Sequence, residues 1–253
     1  MSIWGKLIGG ATGMALGGPI GAILGIAAGH GVDKVRKIDD FKRHQKFSSD
    51  QKEQIFATSV IALSAKLAKA DGNISKSEIL AFKKIFEFPK EDEKDISEIF
   101  NSAKENIDDY KEIAKQVFEV FREDKSLLLE FLNSLFLIAY ADGNLHSNEE
   151  IMLLEISKIF NFSKQEFESI YNIYDFKKTK ESHILTKSYK ILGLEENSSL
   201  EEVSIKYKTL VKEYHPDRLQ GLGLPKEFID LANQKLMAIN KAYNEIKNDK
   251  KNR

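Results

Sequence analysis

Apolar residues recur at helical spacing along most of the chain. Phe56, Val60, Leu63 and Leu67 trace one helix face, and so do Tyr110, Ile113, Val117 and Phe121. Near the carboxyl end Val203, Tyr207, Leu210, Val211 and Tyr214 form a third such face, and Phe228, Ala232, Leu236, Ile239, Tyr243 and Ile246 a fourth. No stretch alternates apolar and polar residues as a strand would, and the abundant Lys, Glu, Leu, Ile and Ala favour helix, so the pattern predicts an all-α fold. Ser188 to Leu194 reads as a short helix closing on Gly193. The next helix is capped by Ser199 or Ser198 and ends at His215, because Pro216 disfavours the helical conformation of the residue before it. A last helix is expected from about Pro225, antiparallel to its predecessor across a loop at 215–224.

The amino-terminal pattern is different. Leu7 to Gly29 carries no charge over 23 residues, which as a helix would reach about 34 Å, enough to cross a hydrocarbon core. Gly5, Gly9, Gly13, Gly17, Gly21, Gly25 and Gly29 fall at every fourth position. In water each glycine costs a helix about 1 kcal/mol relative to alanine. In lipid the backbone must satisfy its own hydrogen bonds, and a glycine stripe lets a second helix approach closely. The expectation is a single transmembrane helix that forms a homodimer through this stripe, with Pro19 as a possible kink. A cleaved signal peptide would have a shorter apolar region, and a flexible linker would be rich in Ser and polar residues. Lys6 lies on one side of the span, whereas Lys34, Arg36, Lys37, Lys42, Arg43 and Lys46 lie on the other, which places the amino terminus outside and the bulk of the chain in the cytoplasm.

An Ala-Asp-Gly-Asn turn occurs at Ala70 to Asn73 and again at Ala141 to Asn144, each followed at the same offset by an acid, Glu78 or Glu149. This is the mark of an internal duplication, with each copy a helix, an Asp-Gly turn and a second helix. Ser75 and Glu78 make a capping box for the second helix of the first copy. Asp-Gly followed after five residues by Glu also matches the back half of a calcium-binding EF-hand loop. The front half fails: its leading ligand positions would be Leu67 and Lys69 in one copy, and Ile138 and Tyr140 in the other. A hard divalent cation needs six to eight oxygens, so no metal is expected, and the weak candidates for a composite site are Asp71, Asn73, Asp142 and Asn144.

Charge is segregated along the chain despite a net value of -1. Residues 1–49 carry seven Lys and Arg against three acids, residues 50–176 fifteen against twenty-five, and residues 177–253 sixteen against eleven. The acids of the middle lie in polar runs such as Lys90 to Asp95, with no positioned His, Cys or Ser partner, so no enzymatic activity and no cofactor is expected. The absence of cysteine excludes disulfides, cysteine-based zinc sites and a cysteine nucleophile. The carboxyl-terminal lysines lack arginine-rich readout and aromatic stacking surfaces, which argues against nucleic acid as a partner.

His215-Pro216-Asp217 sets an imidazole and a carboxylate at the apex of a stiff turn between two amphipathic helices. The duller account is that His215 complements the helix dipole and Asp217 starts a loop. Lys206, Lys208, Lys212 and Arg218 put positive charge beside the turn, suited to steering towards an acidic patch. With Tyr189, Leu192, Gly193, "KYKTLVKEYHPDR" and "INKAYNEI", residues 187–253 resemble a J-domain. That resemblance implies docking of the His-Pro-Asp loop and basic helix on a DnaK-type chaperone, whose ATP hydrolysis they trigger. Residues 50–175, through the repeated Asp-Gly turns, resemble the TerB-like helical domains of tellurite resistance.

The order of parts resembles the DjlA family of bacterial DnaJ-like membrane co-chaperones: a glycine-rich segment at 1–33, a basic linker at 34–49, a TerB-like domain at 50–175, a linker at 176–186 and a J-domain at 187–253. The resemblance implies a co-chaperone anchored in the bacterial inner membrane. An alternative is an envelope-stress or metal-sensing scaffold working through the TerB-like domain.

Overall fold

The computed structural model describes residues 18, 21, 47–70, 82, 90, 93–140, 143–175, 184–221 and 226–252. These residues form helices and their connections with no strand among them, as the apolar spacing predicts. Helix α1 (Ser49–Lys69) starts at a reciprocal cap, in which Gln51 N–H donates to Ser48 Oγ at 3.3 Å and Ser48 N–H to Gln51 Oε1 at 2.9 Å. It lies at the centre of the middle unit, against α2 (Glu93–Ala103), α3 (Tyr110–Phe121) and α4 (Lys125–Ala139). Every residue from Ile55 to Ala68 is therefore buried, whereas the predicted face comprised only Phe56, Val60, Leu63 and Leu67. The other sides are closed by small residues, Ala57, Ala62 and Ala65, over which neighbouring helices pack closely. Lys66 is buried among them, and its ammonium caps the end of α2 by donating to the carbonyls of Ala103, at 2.8 Å, and Asn106 while pairing with Asp109 at 2.5 Å.

The second Asp-Gly turn joins α4 to α5 (Ser147–Ile159). Gly143 has φ +89°, the left-handed conformation that glycine adopts without strain, and its N–H donates to Tyr140 O at 2.9 Å. Glu149, almost fully buried, accepts from the N–H of His146 at 2.9 Å, so the acid that resembles a calcium ligand serves as a helix cap. Asn148 Nδ2 donates to Ala70 O at 3.0 Å, tying the second copy of the repeat to the end of α1. The first turn, with Asp71, Asn73, Ser75 and Glu78, lies outside the described residues, as does Asp142. Helix α6 (Lys164–Asp175) completes the unit. Its core is aromatic: Phe131 meets Phe56 and Phe160 edge-on, with centroids 5.2 and 5.7 Å away, and Phe136 stacks on Tyr174 at 5.7 Å.

The carboxyl-terminal unit contains α7 (Ile184–Ile191), α8 (Leu200–Glu213), α9 (Pro216–Gly221) and α10 (Lys226–Asn252). Gly193, at φ +66°, ends α7, with Leu194 N–H reaching back to Tyr189 O at 2.9 Å. Ser199 is the cap of α8. Val203 and Leu210 of α8 and Tyr214 at its end share a buried seam with Ala232, Ile239, Ala242 and Ile246 of α10, closed at one end by Tyr189 and Leu192. Where the sequence predicts a loop over 215–224, residues 216–221 are helical. The cause is local: Pro216 stands at the first helical position, which needs no N–H, and His215 O accepts from Arg218 and Leu219 at 3.1 and 3.2 Å.

Of the glycine ladder only Gly21 is described. Gly5, Gly9, Gly13, Gly17, Gly25 and Gly29, and with them the rest of the expected span apart from Gly18, lie outside the described residues. Nearby Gly18, at φ +66°, stands against α3, where an added Cβ would come within 2.8 Å of Gln116 Oε1. Among the described residues no helix is long and apolar enough to cross a membrane.

Candidate functional site

The turn between α8 and α9 stands open to solvent. The His215 side chain is 49% exposed and that of Asp217 88%. His215 Nδ1 accepts the N–H of Asp217 at 3.3 Å, and the Asp217 carboxylate lies 3.8 Å from the same nitrogen. An Nδ1 that accepts a hydrogen bond leaves the neutral ring's proton on Nε2, as a donor for another molecule. Leu219, fully buried two residues beyond Asp217, pins the corner to the unit's core. Tyr207, Lys208, Val211, Lys212, His215 and Arg218 line one shallow groove. Its floor is apolar, made by Val211 and the Tyr207 ring, and that ring is held by stacking on Tyr243 at 4.1 Å and by its hydroxyl donating to Asn240 at 2.9 Å. Val211, expected on the sequence pattern to pack inward, is only half-buried and belongs to this outer groove.

The structure thus brings Lys208, Lys212 and Arg218 round His215, and it does not bring Lys206 there. Lys206 faces a cavity between the two units, lined also by Lys125, Glu166, Glu213 and Gly193, and a Cβ on Gly193 would lie 3.7 Å from its Cε. Of the weak metal candidates only Asn144 is described, and among the described residues no group of three or more His, Asp or Glu side chains is arranged to hold a metal ion.

Sequence reasoning missed the seam between the units. Gln165 Nε2 donates to Gly193 O at 2.7 Å and Ser169 Oγ to Ile191 O at 2.5 Å, so α6 grips the end of α7. Deeper in, Glu130 of α4 and Lys235 of α10 face each other at 3.9 Å, 1% and 2% exposed. The Lys235 ammonium lies 4.6 Å from the centroid of the Tyr214 ring, and Tyr214 immediately precedes His215. Asn133 Nδ2 donates to Glu130 at 3.3 Å, and Tyr174 donates to Asn133 O at 3.0 Å. Burial pushes the Lys235 ammonium down to about 8 against the pull of Glu130. Burial likewise raises Glu130, opposed by Lys235 and by the Asn133 hydrogen bond, and it holds the Tyr174 and Tyr214 hydroxyls well above their ordinary value, with the Glu130 charge adding to the effect.

Comparison with known proteins gives three matches along the chain. The transmembrane domain of co-chaperone DjlA matches residues 1–48, the tellurite resistance protein TerB matches residues 57–172, and the DnaJ domain matches residues 187–253. Co-chaperone protein DjlA of Photobacterium profundum is 28% identical over 275 residues, covering 98% of this chain and 99% of the relative. That of Coxiella burnetii is 29% identical over 260 residues, covering 96% of each chain. The chain belongs to the DjlA family. Its all-α fold, its TerB and DnaJ domains and its match to the DjlA transmembrane domain make it a J-domain co-chaperone of a membrane-protein family. Both relatives are co-chaperones by name. No solved structure matches the chain.

Proposed function

We propose that this DjlA-family chain is anchored in the bacterial inner membrane and stimulates the ATPase of a DnaK-type chaperone at the cytoplasmic face, breaking no bond itself. The observation that carries the reading is the exposed His215-Pro216-Asp217 corner beside an apolar groove ringed by Lys208, Lys212 and Arg218. Each part has a physical task. The three cations draw in an acidic surface and set its orientation, so association weakens with salt. Tyr207 and Val211 supply apolar area to bury, and His215 and Asp217 present a donor and an acceptor on a corner already fixed by Pro216 and Leu219, so little ordering is left for the encounter. Lys206 adds to the field from the side of the seam. Anchoring by the glycine-rich segment, with the basic flank of Lys34 to Lys46 inside, holds the corner at the cytoplasmic surface and raises the local concentration of the chaperone there.

The test is single-turnover ATP hydrolysis by a DnaK-type chaperone with the full chain in liposomes. Wild type is expected to accelerate hydrolysis and His215→Gln to lose the effect. Equal acceleration by both overturns the assignment.

A further inference from the structure

We propose that Glu130 and Lys235 are positioning residues for the His215-Pro216-Asp217 corner, acting through Tyr214, so that the TerB domain sets how the J-domain presents its docking face. The connection is short and continuous. Glu130 on α4 belongs to the TerB domain; Lys235 on α10 and Tyr214 at the end of α8 belong to the J-domain. Asn133 orients the Glu130 carboxylate, the carboxylate faces the Lys235 ammonium at 3.9 Å, and the ammonium sits 4.6 Å from the Tyr214 ring centroid. Tyr214 N–H donates to Leu210 O at 2.9 Å as the last bond of α8, and the next residue is His215, whose carbonyl starts α9. A shift of Tyr214 therefore moves the junction of α8 and α9, which is the corner itself.

Both charges are almost fully buried, and Lys235 Nζ makes no hydrogen bond within reach. A buried pair of this kind contributes little net stability, because desolvation offsets the attraction. Its effect is on geometry: an uncompensated charge is expensive in every arrangement except the one that brings it to its partner and to an aromatic face. The Gln165 and Ser169 bonds to the end of α7 already hold the two domains together, which leaves Glu130 and Lys235 to fix orientation.

The inference rests on the proposed co-chaperone reading for its functional consequence, and its structural half stands alone. The test therefore takes two measurements on the full chain in liposomes or detergent: amide hydrogen exchange at Tyr214 and Leu219, and chaperone ATPase against concentration. Glu130→Gln and Lys235→Met are expected to speed exchange at both amides about tenfold. They are also expected to raise the half-saturating concentration by a similar factor while keeping the maximal acceleration, unlike His215→Gln. Should either single variant fail to fold, Glu130→Leu/Lys235→Met removes both charges together and keeps the volume filled. It is expected to remain folded with the same fast exchange, since Tyr214 has lost its cation. Exchange at Tyr214 and Leu219 unchanged from wild type in the folded variants overturns the inference. If wild type gives no acceleration, the co-chaperone reading falls, and the exchange data still decide the positioning role.

Discussion

Lys235 carries a pH signature that falls in a measurable range. Its pKa in the folded chain is about 8 against 10.5 for the free side chain, because burial disfavours the ammonium. Between those values the unfolded chain holds a proton that the folded chain has released, so this group makes stability rise with pH across that window and removes the gain as pH falls through 8. Glu130 has the opposite sign: its carboxyl is raised by burial, so its contribution is full in acid and is lost as pH rises through its folded value. Tyr174 and Tyr214 stay protonated well above the ordinary tyrosine range, so the reading should stop near pH ~9.5. Thermal unfolding of the full chain is expected to show wild type gaining stability relative to Glu130→Gln/Lys235→Met between pH 8 and that limit. Parallel curves would mean the ammonium is solvated. Both residues left a trace in the sequence. Glu130, with Asn133 and Ser134, interrupts the otherwise apolar "LLLEFLNSLFLI", and Lys235 lies three residues after Ala232 and four before Ile239, on the face of α10 that is buried. The trace shows two polar groups on apolar faces; that the faces meet depends on tertiary packing, which spacing does not encode.

Helix α1 shows what periodicity can and cannot tell. A helix with one apolar stripe packs on one side, and the spacing of Phe56, Val60, Leu63 and Leu67 announces that side. Alanine and serine between them read as neutral or solvent-facing, yet in a central helix they are contact residues chosen for size. The prediction at this scale concerns α4, whose Phe131 is fully buried between Phe56 and Phe160. Phe131→Ala should cost about 3–5 kcal/mol in denaturant unfolding, through lost burial and a cavity the helices cannot close. A loss under about 1 kcal/mol would show that α1 and α4 slide to fill it. The corner between α8 and α9 was largely evident from Pro216, apart from the helical turn that follows it. That turn depends on His215 O accepting two N–H groups and on Leu219 finding the core, and neither is visible in a pattern of turn residues.

Three parts were readable at the level of the entire chain, because each has its own composition: an uncharged glycine-rich start, an acidic middle and a basic end. Among the described residues, the acidic middle does not cover the basic groove. It binds the opposite side of the carboxyl-terminal unit, through α4 and α6, and the groove at His215 remains open. The amino-terminal ladder yields the last prediction. If glycine contacts pair two copies in the bilayer, Gly13→Leu/Gly17→Leu in the full chain should abolish dimers in mild detergent, read by cross-linking, because leucine keeps the helices too far apart. Undiminished dimers would place the contact elsewhere. The seam has one more consequence, set by which atoms it uses. Gln165 and Ser169 bond to the backbone carbonyls of Gly193 and Ile191, and a carbonyl is offered by every amino acid. A foreign J-domain grafted at this point would keep both of those grips and forfeit only the Lys235 contact, arriving attached but unaligned.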